Sequence, residues 1–452
     1  MSSAVPAASE VGRGRRLADL APFLVGALLT LAGAVASWYR LPPVARATVW
    51  AEDGRDFLGD RLADGPLVSI LRPYEGYLHV VPRLIAELVV ALVPVEDYAL
   101  ALTAASCLVV GATVALVFSC ARSVVPAALP RLAIAAVPVL APTAPVEVLG
   151  NTANLHWYLL WAAPWVLLSA PRTRLRSAVL AVVVLAIALT EIQVLLFAPL
   201  VLSAARQRGA RPLCVALLLG VTVQLWSTLT APRTENPTDP LGVVSIAIGF
   251  LLHPVAGVTQ GTSEGVRAVV TELHWWPIAT TVVVVLAAAV YVLVRGDRGE
   301  RTMVVVSVVA AVVVWTAAVT LNPNDLFRYA GSFGERLSVF QLQRYATVPA
   351  MFLTAVVLLA AARLGREQRP LRWSGPLLVV VVVVVQLLQF APAESRRGAG
   401  PVWSEGVEAA EEACADGARQ ELVATAPRRP ARAEPWVVAL TCDVLGDERP
   451  AS

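Results

Sequence analysis

Long apolar runs separated by short polar segments set the plan of the chain. The first run, residues 20–38, follows Arg13, Arg15 and Arg16, and at about 1.5 Å per residue it is long enough for a hydrocarbon core of about 30 Å. Comparable runs follow at 98–121, 132–148, 155–170, 213–229, 277–294, 303–321, 345–362 and 373–390. The apolar region 178–205 has arginines on both flanks: Arg172, Arg174 and Arg176 before it, Arg206, Arg208 and Arg211 after it. Arginines collect on the cytoplasmic side, so this region predicts a tight hairpin with Glu191 at its outer tip. Two shorter apolar stretches, 79–93 and 241–258, predict helices lying along or dipping into the outer surface.

This pattern predicts an all-α polytopic membrane protein with about eleven transmembrane helices, the N-terminus cytoplasmic and the C-terminus extracytoplasmic. The expected location is the cell membrane. Ala34-Val35-Ala36 has the small residues of a signal-peptidase site, but the many later spans predict that the first helix is kept. Residues 1–391 form the expected membrane domain, with outer loops at 40–96, 149–154, 230–276 and 322–344. Residues 392–452 form a polar extracytoplasmic tail, read as a small α/β appendage. Within the tail, Trp403, Val407, Ala410 and Cys414 recur at helical spacing, and 436–445 alternates like a strand. Cys414 and Cys442 are the cysteines outside apolar runs and are expected to pair in an oxidising compartment. Cys107, Cys120 and Cys214 read as packing residues.

Composition sharpens the class. Of the 452 residues 57% are hydrophobic and 15% charged, against about 25% charged in soluble domains. All 36 basic residues are arginine, which removes P-loop and Schiff-base lysine chemistry. By the span map, only Glu10, Asp19, Asp297, Glu300 and Glu367 of the acids face inward. A lipid bilayer is the expected environment, and nucleic acid is not an expected partner.

Chemistry is expected on the outer face, where the acids gather. The stretch 50–83 holds Glu52, Asp53, Asp56, Asp60 and Asp64 beside Arg55, Arg61, Arg72 and Arg83. A carboxylate there, its pKa raised by partial burial, has the properties of a general base; equally, these acids pair with Arg55 and Arg61 as an ordinary solvated loop. Tyr74, Tyr77 and His79 follow closely and read as interfacial anchors or substrate contacts. Asn151, Asn154, His156 and Trp157 open an inward span, either as capping residues or as partners for sugar hydroxyls. Arg328, Arg344 and Tyr345 lie where the chain re-enters the membrane, and a guanidinium suits a phosphate because its planar fork makes two hydrogen bonds. No histidine pair has a metal-binding spacing such as HExxH. No cofactor is expected, although a divalent ion beside the acids stays open.

With Glu52-Asp53 in the first outer loop and many spans, the sequence resembles the GT-C superfamily of polytopic glycosyltransferases. Arg344-Tyr345, with Pro349 just after, is similar to a late arginine-containing motif in several members. The resemblance covers the span pattern to residue 391. It implies an inverting transfer of a hexose or pentose from a polyprenyl-phosphate donor to an envelope glycan, lipid or protein acceptor. It further implies Asp53 as base with Glu52 assisting or exchanging roles, and donor-phosphate binding by Arg344 with Arg328 or Arg83 and Tyr345. Tyr74, Tyr77, His79, Asn151, Asn154, His156 and Trp157 would contact substrate. The rival readings are a transporter or flippase for lipid-linked sugars and a structural subunit. Transporters place charges at mid-membrane, and the spans here are almost free of charge.

Overall fold

The structure, a computed structural model, describes residues 8–231, 233, 238–368, 371–391, 394–427 and 436–445, with side chains from residue 21 onward. The expected basic cluster Arg13, Arg15 and Arg16 lies outside the described side chains. Among the described residues, eight helices are long and apolar enough to cross a membrane: Ala21–Arg40, Val95–Ser123, Ala128–Glu147, Arg208–Thr230, Trp276–Arg295, Arg298–Leu321, Arg344–Leu364 and Leu371–Leu388. The stretches Val243–Val258 and Ser263–Thr271 make a ninth if they are taken as one span broken by a 111° bend.

The expected count of about eleven is thus not confirmed, with eight or nine such helices among the described residues. The other three predicted crossings are short segments: Leu155–Leu167 of 13 residues, Arg174–Ala188 of 15, and Ile192–Leu200 continued by Val201–Ala204. At about 1.5 Å per residue in the α-helical segments and about 2 Å in the 3₁₀ stretch Ile192–Leu200, none reaches the roughly 30 Å of a hydrocarbon core. The predicted break near Thr190-Glu191 is present, and Ser177 Oγ donates to the Gly209 carbonyl at 2.8 Å, so both limbs return to one end. Glu191 is not an exposed tip, however. It is fully buried.

Two buried helices form the spine. Leu155–Leu167 is buried along its whole length, and Thr347–Leu364 is buried from Thr347 to Ala362. The outer helices instead present Phe23, Leu24 and Leu28, Val283 and Leu286, and Leu377 and Val380 to their surroundings, as lipid contact requires. The first helix packs on Tyr98–Cys120 at a backbone-to-backbone contact. A Cβ on Gly111 would lie 2.0 Å from the Thr30 carbonyl oxygen, and one on Gly33 would lie 2.9 Å from Gly111 Cα. Small residues permit such close approach between membrane helices, where dispersion replaces the hydrophobic drive.

The ends of the bundle differ in charge. At one end Arg366 pairs with Glu300 and Asp297, Tyr291 donates to Glu367, and Arg176 donates to Ser119. The other end holds most of the acids and all of the described irregular loops of 41–96.

That acid-rich end carries a second hydrophobic core, which the first loop and the tail build together. Val49, Trp50, Phe57 and Tyr98 pack with Trp403, Val407, Val423 and Leu440. The tail comprises the helix Trp403–Ala415, an antiparallel pair of strands Gln420–Ala424 and Val437–Thr441, and the turn Cys442–Leu445. The predicted strand is thus shorter than 436–445, and its partner Gln420–Ala424 was hidden by flanking charges. Cys414 and Cys442 form the expected disulfide. The tail docks through backbone: the Ala426 N–H donates to the Val49 carbonyl at 2.9 Å and the Trp403 N–H to the Ala47 carbonyl at 2.8 Å.

Candidate functional site

Glu52 and Asp53 are adjacent in sequence and separated in space by the geometry of a helical turn. A short helical start at Ala51 runs into a π-helical turn, Asp53–Leu58, and successive side chains on a helix diverge by about 100°. The Asp53 carboxylate is fully buried and accepts from the Thr152 N–H at 3.0 Å, the Thr152 hydroxyl at 2.6 Å and the Ala153 N–H at 2.7 Å. Burial pushes its pKa up to about 6, against the pull of those hydrogen bonds. Its carboxylate is occupied in holding the 150–153 turn, so the expected base does not face open space. Glu52 is buried as well, but it lines a cavity: its Oε1 meets Arg344 Nη1 at 3.1 Å, and its buried Oε2 has no hydrogen-bond partner among the described residues.

The turn that Asp53 holds is itself tightly wired. Gly150 has φ +79°, and a Cβ there would lie 2.3 Å from a Leu41 methyl, so only glycine fits. Asn151 Nδ2 donates to the Glu147 carbonyl at 2.6 Å, while Asn151 Oδ1 accepts from the Asn154 N–H at 3.0 Å. Asn154 Oδ1 accepts from Trp157 Nε1 at 3.2 Å. The asparagines therefore hold the helix start. His156 follows, and its Nδ1 makes a short hydrogen bond to Glu191 Oε2. A carboxylate only accepts, so Nδ1 carries the proton. Glu191 Oε1 accepts from the Gln193 N–H at 2.7 Å.

Opposite lies a small hairpin. Tyr74 and Tyr77 exchange backbone hydrogen bonds of 2.9 and 3.2 Å around Glu75 and Gly76, whose φ of +49° and +84° match the two left-handed positions of a type I′ turn. Tyr77 lies 4.2 Å from the His79 ring, centroid to centroid, and His79 lies 5.9 Å from His156. Burial first of all, with Arg83 adding to it, pulls the pKa of His79 well below its usual range, so it is neutral at pH 7. Burial raises both tyrosine hydroxyls well above theirs.

These walls enclose a cavity of about 700 Å³. Of the predicted residues, Glu52, Tyr74, Tyr77, His79, Asn154, His156, Trp157, Arg344 and Tyr345 line it. Arg344 is fixed by its backbone: its N–H donates to Glu147 Oε2 at 2.6 Å, and Glu147 Oε1 lies 2.7 Å from Arg396 Nε. On one side the lining is Ile192, Thr228, Ala318 and Leu321, from the start of the segment Ile192–Leu200 and the ends of the helices Arg211–Thr230 and Arg298–Leu321.

Asp53 and Asn151 stand behind this lining. Two arginines are elsewhere: Arg83 pairs with Asp60 at 2.8 Å under the Phe57 ring, and Arg328 pairs with Asp325 at 3.2 Å and donates to the Asp239 carbonyl. Sequence reasoning missed Arg233, which reaches Glu75 at 3.4 Å and donates to Asn322. It also missed Trp436 of the tail, with Arg55 stacked 3.7 Å above its ring. No motif marks either residue. Among the described residues, no group of three His, Cys, Asp or Glu side chains is arranged to hold a metal. Comparison with protein-family models, curated proteins and solved structures finds no match for this chain.

Proposed function

We propose that this protein is an inverting membrane glycosyltransferase, moving a hexose or pentose from a polyprenyl-phosphate donor to an envelope glycan, lipid or protein acceptor. The observation that carries the reading is the contact of Glu52 with Arg344, 292 residues apart in sequence, on the wall of one large cavity at the acid-rich end. That end faces outward, because the arginine-rich end faces the cytoplasm. Nucleotide sugars are absent there, so the donor arrives on a lipid. Its apolar chain has a matching flank in Ile192, Ala318 and Leu321.

The resting Glu52–Arg344 pair makes the chemistry conditional on substrate. A donor phosphate competes for the Arg344 guanidinium and releases Glu52. The freed carboxylate takes the proton of the acceptor hydroxyl as that oxygen bonds to the anomeric carbon. The bond from the anomeric carbon to the phosphate oxygen breaks on the opposite face, its electron pair stays with the phosphate, and Arg344, with Arg233 nearby, neutralises the added charge. The base is therefore Glu52, with Asp53 holding the turn beside it.

The test is transfer by purified protein supplied with polyprenyl-phosphate sugars. Glu52→Gln is expected to lower the rate by about 10²–10⁴-fold with yield and thermal unfolding unchanged, and Arg344→Ala to raise the donor KM. Because both act through one contact, the double variant is expected to lose less than the product of the two. A Glu52→Gln protein as active as the wild type would remove the assignment of the base, and a wild type that transfers from no such donor would remove the function.

A further inference from the structure

We propose that His156 and Glu191 form the subsite for the sugar being transferred, with His156 Nε2 accepting a hydrogen bond from one of its hydroxyls and Glu191 acting as the positioning residue. This rests on the glycosyltransferase reading and adds to it a residue, Glu191, that sequence reasoning had placed at a loop tip.

The pair is built like an orienting device. Glu191 is fully buried, with one oxygen on His156 Nδ1 and the other capped by the Gln193 N–H. A carboxylate held on Nδ1 fixes the tautomer and leaves Nε2 as an acceptor, as it does for histidines in metal and catalytic sites. Among the described residues the ring's hydrogen bond is at Nδ1 and none is made by Nε2, and His156 lines the cavity. An acceptor facing a cavity calls for a hydroxyl or another N–H or O–H donor.

The surroundings favour a sugar over a phosphate. The cavity has a cationic wall at Arg344, and from there a floor of rings runs inward. Arg344 lies over Tyr345 at 5.6 Å, Tyr345 meets Trp157 at 6.3 Å, Trp157 meets His156 at 4.4 Å, and beyond it stand the neutral His79 and undissociated Tyr77. Aromatic faces with few hydrogen-bond acceptors between them suit the apolar face and hydroxyl edge of a sugar ring. A donor seated with its phosphate on Arg344 places its ring over Tyr345 and Trp157, with a hydroxyl at His156.

The experiment compares donors lacking one hydroxyl at a time in wild type, Glu191→Gln and His156→Gln. Wild type is expected to lose roughly tenfold or more in kcat/KM for one particular deoxy donor, because that deletion leaves a buried acceptor unpaired. In Glu191→Gln, which keeps an oxygen for the Gln193 N–H, the penalty for that same donor is expected to vanish, while penalties for the other deoxy donors persist. His156→Gln, which restores an acceptor, should recover part of the discrimination. Equal penalties in all three proteins would overturn the subsite and leave the glycosyltransferase standing. A loss of phosphate affinity in the variants, read from competition by polyprenyl phosphate alone, would overturn it in favour of a phosphate contact. Absence of transfer by the wild type would instead remove the underlying reading.

Discussion

Asp53 grips Thr152 with both carboxylate oxygens, one on the backbone N–H at 3.0 Å and one on the hydroxyl at 2.6 Å, and it takes the Ala153 N–H as well. A fully buried acid with three donors is a structural clamp between the first outer loop and the turn that presents Asn154, His156 and Trp157. Its removal leaves buried donors unpaired, at about 1–3 kcal/mol each. Asp53→Ala is accordingly expected to lower the folded yield and the unfolding temperature in detergent.

The same residue gives the protein a pH dependence whose sign can be worked out. Burial raises Asp53 from 3.8 to about 6 in the folded state, so between those values the folded chain binds more protons than the unfolded one. Its contribution to stability is then full below about pH 4 and is lost as pH rises through about 6, on the order of 3 kcal/mol in all. Thermal unfolding from pH 4.5 to 8 should show this slope in wild type and a flatter one in Asp53→Asn. Identical slopes would mean that other groups dominate.

Much of this arrangement was legible in the sequence, and the missing parts have physical causes. Hydropathy located the long helices because membrane crossing imposes a length and an absence of charge. It was ambiguous where Leu155–Leu167 and the two limbs around Glu191 are apolar but short, since apolar composition also serves burial against protein. The acid cluster marked the right loop, yet adjacency in sequence says nothing about which of Glu52 and Asp53 faces a cavity. That depends on the π-turn and on Thr152, a hundred residues away. Glu147 and Arg396, which fix the backbone of Arg344, and Trp436, which comes from the tail, belong to no local pattern and become visible only once the chain is folded.

The disulfide is expected to matter for the site as well as for the tail. Cys414 and Cys442 are 28 residues apart, and closing such a loop contributes roughly 3.5 kcal/mol in the chain-entropy model. The bridge secures the strand pair at its Gln420 and Thr441 end. The opposite end, past Ala424 and Val437, meets the acid loop, where a Cβ on Gly54 would lie 2.5 Å from Thr425 Cγ2, while Trp436 contributes to the cavity wall. Cys414→Ser with Cys442→Ser should lower the unfolding temperature and expose the strand Gln420–Ala424 to protease. It should reduce transfer activity by more than it reduces the amount of folded membrane domain. Unchanged proteolysis would show that docking on Val49 and Ala47 suffices without the bridge.

The contact between the first helix and Tyr98–Cys120 gives a prediction with an internal control, since both residues are glycines in apolar helices. At Gly111 an added methyl would sit 2.0 Å from the Thr30 carbonyl and 2.8 Å from the Ala34 nitrogen, whereas at Gly26 nothing lies within 4 Å. Backbone cannot yield as a side-chain tip can, so Gly111→Ala forces the two helices apart and forfeits the dispersion contacts along their whole interface. Gly26→Ala meets open surroundings and removes only conformational freedom, which favours the helix by about 0.5–1 kcal/mol. Helix Ala8–Arg40 ends at Arg40, which donates to the Val139 and Ala141 carbonyls, so its displacement should also loosen the start of the acid loop. Unfolding temperature in detergent is expected to drop for Gly111→Ala and to hold or rise for Gly26→Ala, with transfer activity falling in the first alone. Equal behaviour of the two variants would mean that the first helix does not pack against its neighbour in this way.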